Sequence, residues 1–357
     1  MSLRVGIGTF SGQLPYDDIR TAADVYADIL ALARVADDVG FDSFWVSSHH
    51  GAPNAHLPSP IVLLAAAAAV TRRIGLGAAM VIGPLEHPLR FAEDCAVADQ
   101  LSRGRLSVGI APGWRPEEFE AFGVPMAERG ERTAELALIC RAAWDTGRVT
   151  HRGRHYVYDD VPVTPQPAGR LPLLMGGASP RALARAGRLA DGFLGTGTPQ
   201  KGLAAFRSEV EAFDAAARAA GRDPSRLTVG FNVNAWVSSD GGVPPSVRRA
   251  MWHKIGTSLA WHRGERADSA EAVPALDEAG VSERAFVGTP ADLVDQARPW
   301  IEAFAGRELE VLFRLYHPGM GLAEAEPAVR LFGAEVIPAL RRLARQADRS
   351  APIGTRA

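Results

Sequence analysis

The sequence predicts an α/β chain folded as one closed (β/α)8 TIM barrel. Three observations carry this: short β-type runs alternate with longer helical runs, eight such strands can be counted, and the one break in the alternation reads as an inserted hairpin. Leu3 to Phe10 (LRVGIGTF) is apolar and Gly-rich, a strand, and Ala22 to Val39 then sets Ala, Leu and Val at helical spacing before Gly40. The unit recurs as Phe41 to Ser48 with Pro60 to Thr71, as Ile74 to Gly83 with Pro88 to Leu101, and as Arg105 to Gly113 with a helix from about Met126 to Trp144. Such alternation demands parallel strands, because each return to the sheet needs a crossover. Residues 147–160 alternate polar and β-type residues around Gly153, which predicts a β-hairpin insertion after the fourth strand and its helix. The alternation resumes with Leu171 to Gly177 and a helix over Ser179 to Leu189. Asp191 to Gly197 precedes a helix over Gly202 to Ala220, and Leu227 to Ser239 precedes a helical region around Val247 to Trp261. Leu309 to His317 is the last strand, followed by a helix from Leu322 to about Arg345. A single domain is expected over 1–346, with a candidate mobile segment at 263–285 and a polar tail at 347–357.

Composition narrows the function. Hydrophobic residues make up 47% and charged residues 22%, with 39 Lys+Arg against 41 Asp+Glu, so no basic field exists to gather nucleic acid. Only two cysteines occur, Cys95 and Cys140, neither with Cys or His at metal spacing, which disfavours a disulfide scaffold and a zinc site. His49, His50, His56 and His87 lie on neighbouring loops, but the strand ends lack the carboxylates a barrel metal centre uses, and no metal is expected. The start, MSLRVGIGTF, has no signal-peptide pattern, and the most apolar run, Ile61 to Val70, is about half of a bilayer crossing. A cytoplasmic protein with no membrane partner is expected. The chain has no GxGxxG, no GxxxxGK[ST] and no GxSxG, so a Rossmann cofactor site, NTP hydrolysis and α/β-hydrolase chemistry lose their main support.

Reactive groups of such a barrel belong at the C-terminal ends of its strands. The second strand ends in Ser47, Ser48, His49 and His50, a polar cluster directly after Phe44, Trp45 and Val46. A histidine there reads either as an acid, base or hydrogen-bond donor, or as a loop residue bonding backbone. Gly113 ends the fourth strand, and Gly176 and Gly177 precede Ser179 and Pro180 at a helix start. Glycine lets main chain approach a ligand, and a capped helix N-terminus favours an anion, so this segment reads as a phosphate cradle or simply as a good cap. Trp114, Trp236 and His317 stand at strand ends, as pocket lining or as core.

Taken in series, GFDSFWVSSHH, IGLGAAMVIGPLEHPLRFAEDCAVADQLSRGRLSVGIAPGW and EEFEAFG resemble the bacterial luciferase-like flavin monooxygenase family, continuously from about Gly40 to Phe122. LLMGGASPRALARAGRLADGF and FVGTPADLVDQARPWIEAF extend the likeness over most of the chain. The resemblance implies a two-component enzyme: a separate reductase supplies reduced FMN (FMNH2), O2 converts it to a flavin C4a-peroxide, and a small organic substrate is oxygenated. F420-dependent oxidoreductases and non-catalytic flavin-binding barrels share the fold and remain alternatives. By position, His49 matches the family's catalytic histidine, and His50 its neighbour in the substrate pocket. Ala78 and Ala79 match a place under the flavin where a non-prolyl cis peptide is common. The resemblance also implies cofactor contacts from Met80, Ala111, Gly113, Gly176, Gly177, Ser179, Gly195 and Thr196, and a substrate pocket including Trp114, Asn232, Asn234, Trp236 and His317. There are departures. Ser48 stands where luciferase has Glu, and Pro112 stands where it has a phosphate-binding Arg, which leaves Arg181 as the nearest basic candidate. Asn232 and Asn234 replace an Arg and a His of the sulfonate-oxidising branch, which disfavours a sulfonate substrate. The helix Ile61 to Val70 is apolar nearly all round, so it and Pro88 to Leu101 are expected to be covered by a second subunit in a homodimer.

Overall fold

The computed structural model describes residues 2–265, 269 and 271–350. β1 (Ser2–Phe10), α1 (Ala22–Val39), β2 (Ser43–Val46), α2 (Pro60–Val70), β3 (Gly75–Ile82), α3 (Pro88–Ser102) and β4 (Leu106–Ala111) alternate strictly. A short α4 (Pro116–Phe122) and α5 (Arg129–Thr146) follow, then an antiparallel hairpin of β5 (Arg148–Arg152) and β6 (Val157–Pro162). The second half runs β7 (Leu173–Met175), α6 (Pro180–Leu189), β8 (Gly192–Thr196), α7 (Leu203–Ala219), β9 (Thr228–Val237) and α8 (Pro245–His262). It continues with α9 (Glu278–Ser282), β10 (Ala285–Gly288), α10 (Pro290–Ala303), β11 (Glu308–Arg314), α11 (Leu322–Leu331) and α12 (Ile337–Ser350).

β1, β2, β3, β4, β7, β8, β9 and β11 pair in parallel, and β9 bonds both β8 and β11, which closes the ring at eight strands. These are the eight strands read from the sequence. The barrel expectation therefore holds, with one strand more than counted. β9 is ten residues long; its lower part is shared between β8 and β11, while Asn234 to Val237 project past the rim and pair with β10. The run Ala285–Gly288 is too short to stand out beside an irregular charged stretch, and the sequence reading passed over it. That stretch, 263–285, also holds α9 in its described part; residues 266–268 and 270 lie outside the described residues. At the C-terminus α12 continues to Ser350, past the expected boundary at 346, and 351–357 lie outside the described residues.

Local chemistry explains the element ends. Thr21 and Asp24 form a reciprocal capping box on α1, as do Thr289 and Asp292 on α10, where Pro290 fills the first helical position. The large core lies between the strands and the surrounding helices, and a small one fills the barrel interior around Trp45, Leu174, Leu194 and Leu312. Gly77 makes room for it: a Cβ there would sit 2.2 Å from the Trp45 ring. Beneath, Arg4 donates to Glu310 at 2.6 Å, Ser43 bonds the same carboxylate, and Trp45 Nε1 donates to Ser43 Oγ at 2.8 Å, so the buried polar groups of the floor satisfy one another. The upper end of this packed interior carries the site.

Candidate active site

β2 stops at Val46, and the chain turns over the rim. Ser47 N–H donates to Phe10 O at 2.8 Å and Ser48 Oγ to Met80 O at 3.1 Å, which ties the turn to β1 and β3. These ties aim His49 into the space above the barrel. Its Nδ1–H donates to Glu118 Oε1 at 2.9 Å, and the same oxygen accepts from His50 N at 2.8 Å. Glu118, on α4, is 1% exposed and faces Arg115 at 3.9 Å, close enough for charge pairing but too far for a hydrogen bond. Burial pulls the His49 pKa below that of a free imidazole, while Glu118 pushes the other way. The ring is therefore neutral near pH 7, its proton fixed on Nδ1 and its Nε2 left as an acceptor without a partner among the described residues.

Aromatic rings wall the imidazole in. Trp261 lies 5.2 Å from it, His56 4.8 Å and Trp114 6.0 Å, all edge to face, and His262 stacks on Trp114 at 4.1 Å. Trp261 and His262 are the last residues of α8, so this helix is the cover of the barrel mouth. Arg115 lies 4.0 Å over the Trp261 ring and fastens the cover to α4.

Below the cover is a cavity of about 580 Å³, within the range of cofactor sites. His49, Ala79, Met80, Ala111, Gly113, Trp114, Gly176, Gly177, Ser179, Gly195, Thr196 and Asn232 all line it. An adjoining chamber of about 510 Å³ shares Thr196, Asn232, Lys254, His262 and Arg314 with it and includes Asn234. The other expected site residues are elsewhere. Ala78 is fully buried in the core, and the non-prolyl cis bond is Ala79–Met80, one residue beyond the expected pair, with a second at Gly8–Thr9. His50 turns its ring against Phe122 at 4.7 Å. Trp236 packs in the main core, and His317, 0% exposed, bonds Ala235 O at 3.3 Å with Nε2; neither reaches the cavity. Trp236 stands on the stretch of β9 that runs past the rim and pairs with Val287 of β10, and His317 lies in the loop after β11, so neither is placed by the strand alternation that aims Asn232 and Asn234 inward.

At the other end, Gly176, Gly177 and the capped start of α6 form the cradle. Ser179 Oγ accepts from Ala182 N at 3.3 Å. Gly177 has φ +123°, open to glycine alone, and a Cβ at Gly176 would press on Met80 Cε at 2.9 Å. Arg181 is exposed and outside the cavity; a basic residue that does line it is Arg129 at the start of α5, which among the described residues donates only to the Met126 carbonyl, at 2.9 Å. Lys201 lines it too, paired to Glu209 at 2.7 Å. Sequence reasoning missed Glu118, Arg129 and Lys254 because they sit on helices, where no strand-end rule finds them. Arg314 was within reach of that rule, since it closes β11. Among the described residues no three His, Cys, Asp or Glu side chains group as metal ligands, and no helix is long and apolar enough to cross a membrane.

The sequence pattern of the luciferase-like monooxygenases matches residues 5–307, and the chain belongs to that family. The resemblance read from the sequence is thereby borne out. The FMNH2-dependent dimethylsulfone monooxygenase of Pseudomonas fluorescens is 31% identical over 58% of this chain and 56% of its own length. An F420-dependent glucose-6-phosphate dehydrogenase of Beutenbergia cavernae is 33% identical over 50% of this chain and 55% of its own. The chain spans about half the length of the curated relatives it matches. Among solved structures, monooxygenase RslO1 from Streptomyces bottropensis superposes with a TM-score of 0.77 at 26% identity, covering 95% of this chain and 99% of that one.

Proposed function

We propose that this chain is the oxygenase component of a two-component monooxygenase that takes FMNH2 from a separate reductase and oxygenates a small organic substrate with O2. The observation that carries the reading is one cavity joining an oriented neutral imidazole to a glycine-lined, cation-flanked cradle. The residues fit the cofactor. Gly176, Gly177 and the N-terminus of α6 offer close main-chain approach to a phosphate, and Arg129 supplies a cation that pairs with no carboxylate among the described residues. Ala79, Met80, Ala111 and Gly195 give a low-polarity bed for the ring. When bound, reduced FMN supplies the electrons that activate O2.

The protein's share is protons and shelter. His49 Nε2 accepts a proton, or returns one, at the reacting end of the cavity, and Glu118 steadies the imidazolium so formed. Trp114, Trp261 and His262 roof the space against water. Likeness to an F420-dependent relative supports a second reading, an F420-dependent oxidoreductase. Equilibrium titration with FMN and with F420 separates the two: FMN binding with Arg129→Gln about tenfold weaker supports the first, and binding of F420 alone sinks it. With FMNH2 and O2 supplied, His49→Ala is expected to change the rate at which oxidised-flavin absorbance returns while the fold stays intact; an unchanged rate removes His49 from the mechanism. We also propose a homodimer across α2 and α3, which pack together and expose Val62 at 72% and Leu101 at 58%.

A further inference from the structure

Two cations face the cavity with no anion among the described residues to meet them. Lys254 of α8 and Arg314 at the end of β11 line both the cavity and the adjoining chamber. Arg314, 8% exposed, donates to the neutral Thr9 hydroxyl, and among the described residues neither cation pairs with a carboxylate. Burial pulls the Arg314 pKa down to about 10, and burial together with the Arg314 charge pulls Lys254 well below an ordinary lysine, so the two stand near enough to repel. Other cations around the same space are answered or assigned: Lys201 by Glu209, Arg284 toward Glu283 at 3.6 Å, and Arg129 at the cradle. Among the described residues the chamber has no Asp or Glu in its walls; Asn232, Asn234 and Ser258 are neutral, and Ile255 and Leu259 are apolar. Like charges held together in a partly dry space are relieved either when the lysine gives up its proton or when a counter-charge arrives, and a bound anion favours the charged lysine.

We propose that this chamber is the substrate subsite and that it selects an organic carboxylate, held between Lys254 and Arg314 with its apolar body against Ile255 and Leu259. The inference rests on the oxygenase reading above, whose substrate class it supplies. It also answers the two asparagines: the cations absent from β9 come instead from α8 and β11. The rival occupant is the cofactor itself, whose reduced ring is anionic.

The test uses benzoate and its neutral isostere benzamide as probes, by calorimetric titration of the full chain, beside a separate FMN titration. Benzoate is expected to bind roughly ten- to a hundredfold tighter than benzamide. Lys254→Gln, checked for an unchanged circular dichroism spectrum, is expected to remove that preference and leave FMN affinity as it was. Arg314→Lys, which keeps the charge, is expected to retain part of the preference. Equal or absent binding of the two probes overturns the proposal, as does a Lys254→Gln variant that loses FMN and keeps its preference for benzoate. Discrimination between the probes by a protein that binds no FMN supports the anion subsite while sinking the flavin reading.

Discussion

His49 owes its chemistry to what grips its far nitrogen. A carboxylate on Nδ1 fixes one tautomer and leaves Nε2 as the acceptor, which is what the proposed role as base requires. Glu118→Gln removes the charge that raises the His49 pKa. The midpoint of that ring, followed by NMR of 15N-histidine, is expected to move to lower pH; a move upward or none at all would show that Glu118 does not govern it. His49 was legible in the sequence because the second strand ends in a polar quartet after three apolar residues. Glu118 was not, since it stands among three glutamates within four residues and only the fold shows which one is buried.

Among the elements, β3 shows how a strand is shaped by what it must not contain. Gly77 leaves the space that the Trp45 ring takes at the barrel centre, and a methyl group there has nowhere to go, because the ring is held by Ser43 and packed by Leu174 and Leu312. Gly77→Ala is expected to cost about 1–3 kcal/mol, lowering the melting temperature by several degrees in a thermal melt. An unchanged Tm would mean that the interior core yields. For α2 and α3, Val62→Lys with Leu101→Lys is expected to convert a dimer to monomers in light scattering without loss of helicity. A wild-type monomer would end the dimer proposal. The strands and helices of the barrel were readable because periodicity and punctuation agree at nearly every step. The rim strand β10 was hidden: four residues carry too little pattern, and the pairing that makes them a strand comes from β9, about fifty residues earlier.

Over the whole molecule, stability should follow the buried histidines. Burial holds His317 at about 3, His253 at about 4 and His56 well below 6.5, so all three are neutral in the folded chain and protonate more readily when it unfolds. Their folded pKa values are depressed. The stability is thus complete above pH 6.5 and is lost as pH falls below it, by about 1.4 kcal/mol per pH unit for each group that must charge. Denaturant melts between pH 7 and about 5, above most carboxylate titration, are expected to show this fall. A flat profile would place these rings in contact with water.

The pairing that completes the cylinder sets the order in which it can be made. Ser2 lies beside Glu308 and Ile7 beside Phe313, so the first strand waits for almost the last. A ribosome must release over three hundred residues before the gap can be sealed, and until then two hydrophobic borders stay available to other chains. Translation arrested ahead of Glu308 is expected to leave a product that chaperones hold and that clumps when freed.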